Sequence, residues 1–488
     1  TVAGNVSVDG GTIKLDGNYP TGTNNVALGD TALDDGSLSG GYNTAVGSGS
    51  LSANTTANSN TAVGYAALAA NTTGADNTAV GAAALDANTT GGSNAALGQG
   101  ALSANTSGGN NVAVGRLALD ANTTANNNTA VGYQAGIAIT TGDRNALVGA
   151  QTGDAITTGA ANTALGYEAL GANTTANSNT AIGAYSLDAN TTGGDHVAVG
   201  SNALGANTTG TTNVGVGVSA LLLNTTGSYN VAVGTAALRE NTTAGSGTAV
   251  GYQAAYSNTT GVNNTALGNQ ALYSNTTSSN ITAVGGVALY NNTAADNVAV
   301  GNNALYTNTT GTANTGIGRS ALRFNTTASN NTAVGYQALY DNTTGASNQA
   351  VGNYALFNNT TGNSNQAMGY AALEANTTGA NNVAIGSNAL LSNTTASNNT
   401  AVGYQAAYSN TTGTDLIAVG SGAARSQTTG AGNMAVGQNA LYSTTTGVGN
   451  TALGTQHTGA SNASLFSNTT GSYNTAVGTS ALLSNTTA

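Results

Sequence analysis

Apolar and polar positions recur along most of this chain with a 17-residue period. Anchored on the Asn of the motif N-T-A-V-G, the repeat begins 27 times between Asn25 and Asn474, and 23 of the 26 intervals equal this period. The exceptions are an interval of 18 at the beginning, one of 16 from Ile281 to Asn297, and one of 24 from Asn450 to Asn474. Such a repeat is a structural unit that buries its apolar side by stacking on its neighbours.

The positions of the repeat, numbered from that Asn, are restricted to different degrees. Position 5 is Gly in all 27 copies, and position 4 is always Val, Leu, Ile or Met. Position 3 is Ala except at Leu147, Gly215 and Gly316, positions 8 and 9 are mostly Ala-Leu, and positions 12 to 15 mostly read N-T-T-G or N-T-T-A. The invariant Gly predicts a backbone conformation that other residues resist.

The length of the repeat selects the fold. Helical repeats need more than about 30 residues and leucine-rich repeats about 20 to 29, whereas one coil of two short strands and tight Gly turns fits this shorter repeat. We therefore predict an all-β protein, a parallel β-solenoid or β-roll of about 27 coils that forms an elongated rod. Its coils would stack at about 4.8 Å, with Asn and Thr in ladders. A short helical turn at Y-Q-A-L remains an alternative, because Ala, Leu and Gln favour helix.

The charged residues indicate which positions face water. Every charged residue after Asp16 lies at position 6, 7, 10, 11, 16 or 17 of the repeat. Because buried unpaired charge is costly, we expect these positions outside and the others in a core, a ladder or a contact with a partner chain. The branched residue at position 4 and Leu at position 9 are expected in the core. Ala at positions 3 and 8 is expected to allow close approach of a second chain.

Two segments depart from the repeat. Residues 1–24 alternate apolar residues around Asp9-Gly10-Gly11, a hairpin signal, and contain the only Pro and the only Lys. We predict a cap or joining segment over residues 1–24 and a solenoid domain over residues 25–488. The 24-residue interval contains a seven-residue insertion near residues 455–461.

Composition narrows the range of partners. Charged residues make up 5% of the chain, the net charge is −11 with seven Lys and Arg, and Cys is absent. A nucleic-acid partner is not expected, because neutralising phosphates requires Lys and Arg. No run of about 18 apolar residues occurs, so no membrane insertion is predicted.

Few residues qualify for catalysis or metal binding. His196 replaces Asn at position 1, where we expect an ordinary exposed substitution, and His457 lies in the insertion without a nearby carboxylate. Asp30, Asp34 and Asp35 form an acidic cluster that lacks the Asp/Gly spacing of a calcium loop. We therefore expect no enzymatic activity, no catalytic or metal-binding residues and no cofactor.

Tyrosine is the candidate binding residue that occurs in quantity, with 20 copies. Several occupy positions 6 and 10, which also accept charge, so we expect their rings on the outer surface, where aromatic rings stack on sugars or join interfaces. Packing of Tyr on Tyr between coils is the alternative. The candidate surface-binding residues are Tyr133, Tyr252, Tyr306, Tyr336, Tyr340 and Tyr404.

The segment N-T-T also matches the acceptor pattern for N-glycosylation. An Asn and Thr ladder produces the same pattern once in each coil. We therefore interpret it as structural unless the chain is made in a glycosylating cell.

The repeated N-[TV]-A-[VIL]-G, in runs such as "NTAVGYQALYDNTTG", resembles the repeat region of bacteriophage tail fibres and related virion appendages. The lead-in "GGTIKLDGNYPTGTNNVALG" is similar to the segment before such repeats. The motif is also similar to the S-V-A-I-G strand in the β-roll head of trimeric autotransporter adhesins. The resemblance implies a homotrimer that attaches to a host or another surface. From the residues we expect lateral self-association as a parallel homotrimer or a filament, with a host-surface glycan or receptor as a partner.

We therefore predict a non-enzymatic structural and adhesive fibre protein, located outside the cell on a virion or cell surface. One alternative is the subunit of an extracellular filament polymerised head to tail. Another is an ice-binding solenoid, in which Asn at position 12 and Thr at position 14 would share one face. An enzyme such as a polysaccharide depolymerase would require paired carboxylates on adjacent coils.

Overall fold

The computed structural model describes residues 22–456 and 462–487, and these residues form strands and turns. The described part has no helix long and apolar enough to cross a membrane. The chain divides into two compact units, Thr1–Gly245 and Ser246–Ala488. Residues 1–21 of the cap predicted for residues 1–24 lie outside the described residues. Residues 457–461 of the predicted insertion also lie outside them.

The first unit is a parallel β-solenoid with thirteen strands among its described residues, one to a coil. Each strand pairs in parallel with the next one along the chain, and equivalent positions of the repeat are opposite each other, as Ala62 is to Ala79. The strands are β1 Val26–Leu28, β2 Thr44–Val46, β3 Thr61–Val63, β4 Thr78–Val80, β5 Ala95–Leu97, β6 Val112–Val114, β7 Thr129–Val131, β8 Ala146–Val148, β9 Thr163–Leu165, β10 Thr180–Ile182, β11 Val197–Val199, β12 Val214–Val216 and β13 Val231–Val233.

The second unit has the same architecture, with fourteen strands among its described residues. Pairing is again parallel and sequential, and the register holds across the irregular intervals, where Thr282 is opposite Val298 and Thr451 is opposite Thr475. The strands are β14 Thr248–Val250, β15 Thr265–Leu267, β16 Thr282–Val284, β17 Val298–Val300, β18 Thr315–Ile317, β19 Thr332–Val334, β20 Gln349–Val351, β21 Gln366–Met368, β22 Val383–Ile385, β23 Thr400–Val402, β24 Ile417–Val419, β25 Met434–Val436, β26 Thr451–Leu453 and β27 Thr475–Val477. The predicted fold class, an all-β parallel β-solenoid, is therefore confirmed.

Each coil contains one strand, at positions 2 to 4, so the prediction of two strands to a coil is wrong for the described residues. The turns that complete the coil still bond to the neighbouring coils: the Leu339 N–H donates to the Ala355 carbonyl at 2.9 Å, and the Thr343 N–H donates to the Thr360 carbonyl at 3.0 Å. The helical alternative at Y-Q-A-L is also wrong. There Gln337 and Leu339 both have φ of 52°, which a right-handed helix excludes.

The interior of the coil is filled mainly by Ala, Leu and Asn. Ala333 at position 3, Ala338 at position 8 and Leu339 at position 9 are fully buried, so the prediction for position 9 is confirmed. Position 4 lies on the outside, because alternate strand residues point to opposite faces, and its predicted place in the core is wrong. Ala at positions 3 and 8 faces the inside of its own coil, so the predicted close approach of a second chain at these positions is also wrong.

The invariant Gly at position 5 has the special backbone predicted for it. In 26 of the 27 copies its φ lies between 112° and 145°, a region that other residues rarely adopt. A Cβ atom on Gly335 would also lie 2.6 Å from the carbonyl carbon and oxygen of Gly352 in the next coil. The close stacking of coils therefore requires Gly here.

Candidate functional site

Two columns of buried Asn join each coil to the next. The Asn60 N–H donates to Asn43 Oδ1 at 2.9 Å, and Asn60 Nδ2 donates to the Gly74 carbonyl of its own coil at 3.0 Å. Asn71, at position 12, donates its Nδ2 to the same carbonyl at 3.0 Å and to Asn54 Oδ1 at 3.3 Å. The predicted Asn ladders are confirmed, and most of the described coils are closed by two amides that converge on one carbonyl oxygen.

The two Thr residues that follow position 12 differ in exposure. Thr72 Oγ1, at position 13, donates to the Thr89 carbonyl of the next coil at 3.0 Å, whereas Thr73, at position 14, is exposed. Asn71, at position 12 of the same coil, is fully buried. Positions 12 and 14 therefore do not share one outer face, and the pairing on which the ice-binding alternative depends is not formed.

The Asn of nearly every described Asn-Thr-Thr segment is buried, which bears on the glycosylation pattern. Asn342 is fully buried, and its Nδ2 donates to Asn325 Oδ1 at 2.8 Å and to the Gly345 carbonyl at 2.9 Å. An N-linked glycan would be attached to that same nitrogen atom. The folded coil has no room for one at this position.

His196 is buried, with 1% of its surface exposed, so the predicted exposed substitution is wrong. The reason is that position 1 faces the interior. The Asn213 N–H donates to Nδ1 at 3.1 Å, and Nε2 lies 2.7 Å from the Gly210 carbonyl. These partners assign the proton to Nε2, and burial lowers the pKa of the imidazole. His196 therefore replaces Asn in the ladder as a neutral ring.

The acidic cluster near the first strand is held by local hydrogen bonds. The Asp35 carboxylate accepts the Ser37 N–H at 2.8 Å and the Ser37 hydroxyl, and these bonds lower the pKa of Asp35. Over residues 22–456 and 462–487, no group of three His, Asp or Glu side chains is arranged to hold a metal ion.

Position 10 forms an outer column whose chemistry differs between the units. In the first unit it carries carboxylates on alternate coils, Asp86, Asp120, Asp154 and Asp188. Burial raises the pKa of Asp86, Asp154 and Asp188, and the charge of Glu168 adds to the effect at Asp154 and Asp188. Partly buried carboxylates at this position fit the sequence expectation that charges lie on the outer side of the coil.

In the second unit, position 10 begins with four stacked tyrosines. Ring centroids are 5.1 Å apart between Tyr256 and Tyr273, 5.0 Å between Tyr273 and Tyr290, and 5.4 Å between Tyr290 and Tyr306. The rings are within 17° of parallel. Tyr306 therefore follows the alternative prediction, the packing of Tyr on Tyr between coils.

Tyr336 and Tyr340 belong to one aromatic cluster on the outer side of the second unit. Tyr340 stacks on Phe357 with centroids 5.0 Å apart, and Tyr336 meets Tyr354 edge to face at 5.4 Å. Tyr354 also contacts Phe357 at 5.7 Å and Tyr370 at 6.0 Å. The structure thus brings two of the sequence-predicted tyrosines together with three aromatic residues that the sequence did not single out.

The remaining predicted tyrosines are exposed at position 6. Their exposed fractions are 44% for Tyr133, 50% for Tyr252 and 55% for Tyr404. In the first unit, the Arg116 guanidinium lies 6.0 Å from the centre of the Tyr133 ring. Their place on the outer surface is as expected, and their role in binding stays a prediction.

Tyr404 and Arg425 line an open groove of about 420 Å³ in the second unit. The Arg425 guanidinium lies between two rings, 5.4 Å from the centre of Tyr408 and 5.6 Å from that of Tyr442. It donates to Gln405 Oε1 at 3.0 Å and to the Tyr442 hydroxyl at 2.8 Å. The other lining residues are Ser421, Gly422, Asn439, Gln456 and Phe466. We call this set of residues the Arg425 groove.

The Arg425 groove combines aromatic rings with a cation and several amide groups. Such surfaces stack on the flat faces of sugars and bond their hydroxyl groups. Arg425 and Tyr442 were not predicted as site residues, because the sequence pattern was considered within one coil. The sequence does contain a signal for this contact: Arg425 and Tyr442 both occupy position 10, in successive coils, and therefore lie one above the other. In comparison with known proteins, the chain matches no protein-family model and no curated protein.

Proposed function

We propose that this protein is a non-enzymatic structural and adhesive fibre protein that acts outside the cell, on a virion or cell surface. The observation that supports this best is the repeated bonding between coils. In each unit, strands pair in register, and Asn and Thr side chains bond their equivalents in the next coil. A chain that uses its recurring polar residues to join neighbouring coils is suited to a structural role.

The residues considered for reactivity also have structural roles. His196 is a neutral member of the Asn ladder, and the Asp35 carboxylate is engaged by Ser37. Variation between coils is concentrated at outer positions such as 6 and 10. This division supports a constant framework that displays a variable surface.

Electron microscopy of the purified protein, together with diffraction from aligned samples, tests the structural part of the proposal. We expect fibres in the images and a reflection near 4.8 Å along the fibre axis, from the stacking of strands about that far apart. Labelled antibodies should find the protein on the surface of intact virions or cells. Isolated compact particles without fibres would contradict the proposal.

The adhesive part of the proposal places glycan binding in the Arg425 groove. Within the described residues, Arg425 has no carboxylate partner, so we propose a sugar that bears a carboxylate, stacked on Tyr404 or Tyr442. We expect Tyr404→Ala and Arg425→Gln to reduce binding to an array of acidic glycans by about tenfold or more. Tyr65→Ala is the matched control, because Tyr65 is also an exposed Tyr at position 6, in the first unit. Equal binding by all three variants would contradict the site.

We also propose that the chain self-associates, with a parallel homotrimer as the leading arrangement, because the family resemblance implies a homotrimer. Ala at positions 3 and 8 cannot form the predicted contact with a second chain, because these residues fill the interior of their own coil. Another surface must therefore supply the contact between chains.

A further inference from the structure

Position 4 is restricted to apolar residues although it is never buried in the described coils. All 27 copies are Val, Leu, Ile or Met, and each is half-buried or exposed. Exposed fractions are 37% for Val351, 53% for Met368 and 39% for Ile385. Folding of a single chain does not require this restriction, because neighbouring outer positions accept polar and charged residues.

The preference of β-strands for certain side chains does not explain the restriction. Thr favours strands as Val and Ile do, and it occupies position 2 in 14 of the 27 copies. It never occurs at position 4, whereas Leu and Met, which have no β-branch, do occur there. What the residues of position 4 share is an apolar surface, which indicates that this surface is covered.

We infer that the side chains of positions 2 and 4, which we call the strand face, form a lateral interface between copies of this chain. The inference deepens the proposed function and rests on the self-association proposed there. Charged residues are absent from positions 2 and 4 in all 27 copies, so no like charges oppose the contact. The row of position 4 is apolar in every copy, and contiguous apolar surfaces mark sites of protein association.

The regular spacing of the strand face indicates which partner covers it. Its apolar rows repeat once in each coil, at the separation of paired strands, about 4.8 Å. A partner that covers position 4 in every coil must repeat with the same spacing. A second copy of this chain has that spacing, so strand faces turned toward the common axis of a parallel homotrimer would meet coil by coil.

The area of the strand face is sufficient for a stable contact. A three-residue strand is about 10 Å long and each coil rises about 4.8 Å, so every coil adds about 50 Å² to the face. The thirteen strands of the first unit therefore provide about 600 Å² on each copy, or about 1,200 Å² for two copies. Specific interfaces begin near this total of about 1,200 Å².

Charge placed on the strand face tests the inference. In the full chain, the face variant combines Val334→Lys, Val351→Lys and Met368→Lys. The control variant combines Thr344→Lys, Thr361→Lys and Thr378→Lys, which adds the same charge at exposed position 14 of the same three coils. Sedimentation velocity gives the mass of each protein, and circular dichroism checks its fold. We expect the control to associate as the wild type does, and the face variant to keep a native spectrum but associate about tenfold or more weakly, because three like charges then oppose the contact.

Two results would overturn the inference. One is a monomeric wild type at about 10 μM, a concentration at which an interface of this size should hold. The other is a face variant that associates as strongly as the wild type. If the face variant does not fold, Val334→Thr, Val351→Thr and Met368→Thr together retain strand preference and should weaken association by about tenfold or more. Unchanged association of this Thr variant would also overturn it. A monomeric wild type that still forms fibres in micrographs would overturn this inference and leave the proposed fibre function intact.

Discussion

Several residues of each coil adopt a left-handed backbone although they are not glycine. In one coil these are Gln337, Leu339 and Ser347, with φ of 52°, 52° and 59°. This conformation is unfavourable for L-residues by roughly 1 to 2 kcal/mol each. It persists because the neighbouring coil offsets it: Leu339 fills the interior, and its N–H bonds to Ala355. The individual coil is therefore strained, and its conformation depends on stacking.

Gly335→Ala tests the invariant Gly at position 5, whose backbone conformation is more restricted than that of these residues. With φ of 140° at this residue and only 2.6 Å from a new Cβ to the Gly352 carbonyl, we expect the variant to lose roughly 2 to 4 kcal/mol of stability. Urea unfolding of the second unit measures the loss. Gly286→Ala is the control and should be nearly neutral, because Gly286 lacks the positive φ and its new Cβ would meet only the side chain of Asn302, at 3.0 Å. Equal losses in the two variants would refute the argument from φ.

His196 makes the first unit sensitive to acid. Its pKa in the folded chain is lowered from the usual 6.5, so below about pH 6.5 the unfolded chain binds a proton that the folded chain does not. Its contribution to stability is therefore constant above that pH and declines as the pH falls toward the folded pKa. We expect His196→Asn to melt progressively higher than the wild type between pH 7.5 and pH 5. Parallel melting curves over this range would show that His196 is not the responsible group.

At the scale of the element, one coil is a three-residue strand followed by turns that are closed by side-chain amides. Asn331 and Asn342 both donate to the Gly345 carbonyl, at 2.9 Å in each case. So short a coil encloses too little space for many large side chains, and amide groups take up part of the interior. Because these amides are buried, their hydrogen bonds hold the coil in one shape.

Asn342→Ala should therefore destabilise the second unit by roughly 2 to 4 kcal/mol, because the substitution removes three buried hydrogen bonds, two donated by its Nδ2 and one accepted by its Oδ1 from Asn359. It leaves Asn325 Oδ1 and the Gly345 carbonyl without this donor. The control is Asn358→Ala, since Asn358 is only half-buried at position 11, and it should change stability by less than about 0.5 kcal/mol. Thermal unfolding compares the two variants, and similar melting temperatures would contradict a structural role for the ladder.

The sequence was sufficient to predict the fold class and the length of the coil, but not the number of strands in the coil or which side of the strand faces inward. The short period and the invariant Gly determine the fold class, because helical and leucine-rich repeats need a longer unit to bury an apolar side. The failure at positions 3 and 4 has a physical cause. A narrow coil accepts Ala333 inside and leaves the larger Val334 outside, so side-chain size is a poor guide to burial here. The absence of charged residues at a position also does not tell whether that position lies in the core of the coil or in an interface.

The candidate site was predictable in part. The tyrosines at positions 6 and 10 were expected on the outer surface, and Tyr404 lies there. The contact between Arg425 and Tyr442 could not be predicted from the sequence of one coil, because it joins residues 17 positions apart in successive coils. His196 was assigned wrongly because a polar residue at position 1 suggested exposure, whereas the ladder buries polar groups by pairing them.

At the scale of the whole molecule, the repeated register makes the coil a modular unit. The register is kept across both the short interval that ends at Asn297 and the long one that ends at Asn474, where the length difference lies between strands. Each coil contacts its neighbours in equivalent ways, so stability is approximately a sum over coils and their interfaces. Removal of one complete coil should therefore leave the remaining ladders intact.

Deletion of residues 331–347, one complete coil, tests this modularity. We expect a folded protein with a melting temperature within a few degrees of the wild type, because Asn314 then meets Asn348 with all positions in register. Deletion of residues 331–338, about half a coil, is the control and should unfold the adjoining coils, since it places turns opposite strands. Circular dichroism and thermal melting distinguish the two. Equal stability of the two deletions would mean that register does not govern the fold.

The direction of the hydrogen bonds also determines how this chain would respond to force. Strand and ladder bonds run from one coil to the next, so tension on the ends of the chain peels coils away from a stack one at a time. Each released coil would lengthen the chain by about 60 Å, the extended length of one repeat. A stretched unit would then yield in small equal steps instead of rupturing at once, and each step would absorb mechanical work that would otherwise reach whatever the chain is attached to.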